Sequence, residues 1–110
     1  MKTSVTSTTL LATAVTANRA SFYIPNNNKG ACGTPIGNDA WVVALPPSSY
    51  DNGAHCGKEI RVTYNGKTLN GQVADLCPDC AGAQIDLVKG FFEQFAKTDK
   101  GIIEVDWKLT

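Results

Sequence analysis

The chain has 110 residues, ten basic and ten acidic side chains that cancel, and four cysteines. A single domain of this size buries only about two thirds of its unfolded surface, so covalent staples are expected. No run of Lys or Arg offers the electrostatic footprint that nucleic acid or an anionic membrane selects, and no stretch of about 18 apolar residues is present to span a bilayer.

Residues 1–19 begin with one lysine and pass through a Leu/Ala/Val stretch broken by Thr and Ser, which reads as a weak signal peptide or a flexible N-terminal arm. The body, 20–110, opens with "SFYI", a short strand ended by Pro25 and three asparagines. "WVVAL" (41–45) is a continuous apolar run between "GNDA" and Pro46-Pro47, the pattern of a buried strand, and "PPSSYDNGAH" is a loop by composition. In "EIRVTYNGKTLNGQVADL", Ile60, Val62 and Tyr64 alternate with Arg61 and Thr63. Asn65-Gly66 then supplies the positive-φ pair of a tight hairpin, and a second strand runs to Asp75. From Asp86, the spacing of Leu87, Val88, Phe91, Phe92 and Phe95 predicts one short α-helix over about 86–97, with Asp86 as its N-cap and Gly90 weakening it by about 1 kcal/mol. Ile103, Val105, Trp107 and Leu109 alternate with Glu104, Asp106 and Lys108 in a final strand with one wet face, so Trp107 is read as core. The expected class is a small, mainly β domain with one helix.

Cys32, Cys56, Cys77 and Cys80 admit three readings. A redox C-x-x-C should open a helix after a strand of a βαβ unit, and no such order is visible. A zinc site usually presents two close pairs, whereas Cys32 and Cys56 lie far apart, so no metal is expected. Two disulfides in an oxidising compartment carry the most weight, with three connectivities open.

Taken in order, "ASFYIP…GACG…WVVAL…CGKEIRVTYNGKT…VADLCPDC…QIDL…GIIEVDW" resembles the secreted six-stranded double-psi β-barrels related to the first domain of expansins, barwin-like plant proteins, bacterial lytic-transglycosylase relatives and single-domain fungal loosenins, over residues 20–110. The resemblance implies a Cys32–Cys56 bridge and leaves Cys77–Cys80 as the second. It also places Asp75 and Asp86 in the polysaccharide groove, with Asp86 resembling the general acid of related inverting endoglucanases. Those enzymes need a second carboxylate roughly 6.5 to 9.5 Å away to activate water. The matching position falls at Tyr23, and a phenol of ordinary pKa about 10 is no base near neutral pH. The Glu and His of the lytic transglycosylase relatives are also missing from "WVVALPP". Asp86 is thus read as a vestigial acid, with no catalytic residue assigned and no cofactor.

Besides Asp75 and Asp86, the aromatic rings of Tyr23, Trp41 and Tyr50 are candidates to stack on sugar rings, against the plainer reading that they pack the core. Asp75 could equally bond a nearby backbone amide, and His55 is read as a surface residue. The first functional expectation is a secreted monomer that binds cell-wall glycan (cellulose, chitin or peptidoglycan) through an acidic groove without hydrolysing it. The alternative is an inhibitor of papain-like cysteine proteases using preorganised loops on the same barrel. A secreted effector or signalling protein is the third.

Overall fold

The computed structural model describes residues 18–110. The leader or arm read over 1–19 therefore lies outside the described residues, except for Asn18 and Arg19. Six strands are formed: β1 (Asn18–Tyr23), β2 (Val42–Leu45), β3 (Glu59–Tyr64), β4 (Lys67–Leu76), β5 (Ile85–Val88) and β6 (Ile103–Leu109). They close into a barrel in the order β1-β5-β2-β4-β3-β6. Two of the pairings, β1 with β5 and β2 with β4, are parallel, and the others are antiparallel.

Strand alternation fills the interior. Ala20, Val43, Leu45, Ile60, Val62, Val73, Ile85, Leu87, Ile103 and Val105 point inward and form one cluster with Phe91 and Phe92. The Asn65-Gly66 hairpin is formed, with φ of 48° and 79° at its two turn residues, as a two-residue turn matched to strand twist requires. The last strand alternates as its sequence does, with Ile103 and Val105 buried and Glu104, Asp106 and Lys108 exposed. Trp107 is half-buried on the same face, and its Nε1 donates to the Ala83 carbonyl at 2.8 Å.

Three local expectations are revised. Residues 85–88 are not the start of a helix but strand β5. A short, mostly apolar run fits either element by spacing alone, and here β1 and β2 supply partners along both edges. The helix is a single turn, α2 (Lys89–Phe92), which begins after Asp86 and has no side-chain cap, so the N-cap reading of Asp86 fails. Gly90 is there for packing, since a Cβ would come within 2.5 Å of Asp39 Cα and 2.8 Å of the Asn38 carbonyl. The "PPSSYDNGAH" loop contains one helical turn, α1 (Pro47–Tyr50), with Pro47 at its first position, where no backbone N–H is needed.

All four cysteines are bonded, Cys32 to Cys56 and Cys77 to Cys80. The first bridge ties the long β1–β2 connection to the segment entering β3 across a separation of 24 residues. Tyr50 braces it from one side, with its hydroxyl 3.7 Å from Cys56 Sγ; the disulfide sulfur carries no proton, so the phenol donates. His55, half-buried, donates from Nδ1 to the Ser49 carbonyl at 2.8 Å and holds the same loop. Replacing Cys32 and Cys56 together by Ser should lower unfolding stability by about 3 kcal/mol, read from urea denaturation of the oxidised protein and the double variant.

Candidate functional site

The acidic residues are brought together by register. In β2, Ala44 pairs with Asp75 of β4 on one side and with Asp86 of β5 on the other. With strands about 4.8 Å apart, the two aspartate Cα atoms stand roughly 10 Å from each other at one level of the barrel. Asp86 follows inward-facing Ile85 and precedes inward-facing Leu87, so its side chain must lie on the outer surface. Its partner on β1 is Ser21, whose hydroxyl donates to Asp86 Oδ1 at 3.0 Å.

Asp75 reaches that surface through a β-bulge. The β2–β4 pairing runs Val42 to Gln72 and Val43 to Val73, then passes over Ala74 to join Ala44 with Asp75. Without the extra residue, Asp75 would share the inward parity of Val73 and put a carboxylate in the core. Ala74 instead packs outside the barrel with Ile36, Val42 and Val88, and Tyr23 and Ala40 close the edge of this second cluster.

Three donors hold the Asp75 carboxylate. Tyr23 Oη donates to Oδ2 at 2.9 Å, and the backbone N–H groups of Ala31 and Leu76 donate to Oδ1 at 2.8 and 2.9 Å. The Ala31 contact requires residues 30–32 to lie almost on top of β4, and the Cys32 N–H also reaches the Ala74 carbonyl. Gly30 allows that approach, because a Cβ would fall 2.5 Å from the Ala74 oxygen and 3.1 Å from Asp75 Cγ. Asp75 therefore bonds backbone amides and also faces the acidic row.

The pair is electrostatically unequal. Three of the roughly four acceptor positions of Asp75 are filled, which leaves it about one more hydrogen bond to give a ligand. Asp86 has its pKa raised, first by burial and then by the neighbouring charge of Asp75, with the Ser21 hydrogen bond opposing part of the rise. Tyr23 is pushed above the ordinary phenol range, first by burial and then by its hydrogen bond to Asp75, with the charges of Asp75 and Asp86 adding to it. It stays protonated at any pH the protein meets, so it donates and never serves as a base. The site is thus one carboxylate held by three donors, a second carboxyl that gives up its proton at a higher pH than usual, and two hydroxyls.

Tyr23, Asp75 and Asp86 are brought together, while Trp41 and Tyr50 are not part of the row. Trp41 precedes β2 and stacks on Phe91 with ring centroids 5.3 Å apart; Tyr50 packs against the core beside the Cys32–Cys56 bridge. Ser21 is the member that sequence reading missed. Its signal was simple: it stands two residues before Tyr23 on a strand and so shares its face. The Ala31 amide, a backbone donor on a distant loop, left none.

No family model matches the chain. The chain is 35% identical over 95 residues to the papain inhibitor of Streptomyces mobaraensis, covering 79% of this chain and 66% of the inhibitor. It is 31% identical over 100 residues to an EG45-like domain containing protein of Citrus jambhiri, covering 80% of this chain and 76% of that protein. The solved structure of the Streptomyces papain inhibitor has a TM-score of 0.75 at 30% identity, over 86% of this chain and 92% of the other. A Clavibacter michiganensis expansin in complex with cellohexaose has a TM-score of 0.78 at 27% identity, over 86% of this chain and 50% of the expansin. The chain thus spans about two thirds of the full inhibitor sequence and half of the expansin.

The raised pKa of Asp86 fixes the sign of a pH effect. Between the unfolded and folded pKa values the native state holds more protons, so stability falls as pH rises through that interval and is level above it. Urea midpoints measured from about pH 3.5 to 7 should show this fall in the wild type and lose it in Asp86→Asn, which should also be the more stable of the two at neutral pH.

Proposed function

Because the chain belongs to the double-psi β-barrel family that includes the EG45-like proteins, the expansins and the Streptomyces papain inhibitor, we propose that it is a secreted protein that binds a β-linked cell-wall glycan across the row Ser21–Asp86–Ala44–Asp75 without hydrolysing it. The observation that carries this reading is the inequality of the two carboxyls. Asp86 is half-buried, and Ser21 is its only side-chain partner among the described residues. It can therefore accept a hydrogen bond from a sugar hydroxyl, and offer one to a glycosidic oxygen at the lower pH at which it is protonated. Inverting hydrolysis would need the opposite group to free a water proton, and on this row the opposite group is Asp75, already held by Tyr23 and two backbone amides. Ala44 is small enough to serve as the floor between them. The cellohexaose held by the expansin neighbour supports a glucan-type ligand.

A second reading, inhibition of a papain-like protease, is favoured by the inhibitor relative and by the rigidity of the 24–40 loop. Asn26 and Asn38 exchange two hydrogen bonds, N to Oδ1 at 2.7 Å and Nδ2 to Oδ1 at 2.9 Å, and Ile36 buries the loop's middle. A loop so braced loses little freedom on docking. Asp75 belongs to both readings, since it holds the Ala31 amide of this loop. Asp86→Asn is therefore the variant that separates them.

Co-sedimentation with insoluble cellulose, chitin and peptidoglycan, scored beside papain inhibition, tests the assignment. The wild type should be retained by at least one glycan with no new reducing ends, and Asp86→Asn should weaken retention about tenfold. Release of reducing ends, or equal retention of the variant, would overturn it. Papain inhibition without glycan retention would install the second reading.

A further inference from the structure

The two disulfides are not chemically alike. Thiol–disulfide exchange needs a thiolate to reach one sulfur while the other sulfur departs as a thiolate. In the Cys77–Cys80 bridge Cys80 is 4% exposed, so direct attack on it is shielded. Attack on Cys77 would leave the charge on that buried sulfur, where burial disfavours it. Cys32 and Cys56 are both half-buried instead. Both line a surface groove of about 280 Å³ between the 30–34 turn and β4, with Thr34 and Gln72 beside them. A small thiol entering that groove meets this bridge.

Its two ends differ as well. Tyr50 Oη lies 3.7 Å from Cys56 Sγ and donates to it, whereas no side-chain donor reaches Cys32 Sγ among the described residues. A donor already aimed at a sulfur stabilises the negative charge that develops there. Cys56 is thus the better leaving group, and Cys32 is the sulfur to attack. Tyr50 is held in place for this, since its N–H donates to the Pro46 carbonyl at 2.8 Å and its ring packs against the core.

We propose that the Cys32–Cys56 bridge is a thiol-exchange site, opened by a small dithiol and closed by oxidation, with Tyr50 as the positioning residue for the departing sulfur. The dithiol's first thiolate attacks Cys32 Sγ, the S–S bond breaks, and its electron pair leaves on Cys56 Sγ beside the Tyr50 hydroxyl. The second thiolate then displaces Cys32 from the mixed disulfide. Two protein thiols and the disulfide of the reductant result, with two electrons and two protons passed from the dithiol to the protein.

Opening the bridge reaches the acidic row. Ala31, next to Cys32, gives its N–H to Asp75 Oδ1, and the Cys32 N–H reaches the Ala74 carbonyl at 3.3 Å. With the bridge open, these two bonds are left to hold the 30–32 backbone on β4. Asp75 keeps Tyr23 and the Leu76 amide, while its loop donor gains freedom to detach. The expected effect on glycan retention rests on the glycan-binding reading; the exchange chemistry stands apart from it.

The test exposes the folded, oxidised protein to dithiothreitol, traps thiols with iodoacetamide at successive times and maps them by peptide mass. Cys32 and Cys56 should be alkylated about tenfold sooner than Cys77 and Cys80. Tyr50→Phe should slow their opening about threefold and leave that of Cys77–Cys80 unchanged. Hydrogen exchange after selective opening should speed up at the Ala31 N–H while the β3 and β6 ladders stay protected. Glycan retention should fall about threefold and return on reoxidation. Opening of Cys77–Cys80 first or at the same rate overturns the site. Wild-type opening in Tyr50→Phe overturns the role given to Tyr50. Unchanged Ala31 exchange after selective opening, or protection lost throughout the barrel, overturns the coupling to Asp75. Retention by no glycan removes the glycan-binding reading, and the alkylation order and Ala31 exchange still decide this one.

Discussion

The site depends on one long-range constraint, the insertion of β5 between β1 and β2. Ser21 and Asp86 are 65 positions apart in the chain, and only the parallel pairing of their strands makes them neighbours. The antiparallel pairing on the other edge of β5 then sets Asp86 opposite Ala44, and through Ala44 opposite Asp75. The driving force is burial of Ile85 and Leu87 in the barrel and Val88 in the outer cluster. The acidic row is a by-product of that alternation. A one-residue slip of β5 would turn Asp86 into the core and Leu87 into water, so the same burial that folds the strand fixes the carboxyl on the surface.

Much of this was legible because it was local or periodic. The Asn65-Gly66 turn, the alternation of β3 and β6 and the continuous apolar β2 each carry a short-range signal that the structure follows. β5 reads as helix for an equally physical reason. Only Asp86 of its four residues is not fully buried, so the period-two pattern that would announce a strand is masked by Val88, and the phenylalanines that follow prolong the apparent helical spacing. Gly90 reads as a helix defect because its reason, the close passage of Asn38 and Asp39, lies 52 and 51 positions upstream. The bulge at Ala74 left no mark, since a bulge is defined by a partner strand the sequence does not show next to it. Resemblance found Asp75 and Asp86; the donors that make them unequal came only from geometry.

The 25–40 connection is more than a linker between strands. It crosses β4 closely enough for Gly30 to be required, gives Asp75 an amide, seals the outer cluster with Ile36, and is tied by Cys32 to the segment leading into β3. Asp75 and this loop are therefore one mechanical unit. Glycan binding and protease inhibition, the activities named among the relatives, would draw on the same hydrogen bonds, so a change at Asp75 reports on both surfaces at once.

Each of the six strands has a hydrogen-bonded neighbour on both sides. A sheet with a free border can capture a partner by extending its ladder, which makes recognition depend on main-chain groups and tolerant of sequence. Among the described residues such borders are short, the longest being Lys67–Gly71 of β4, which pairs with β3 alone. Recognition of a macromolecule therefore falls mainly to side chains and loop tips, and chance association of two copies through strand edges has little border to use.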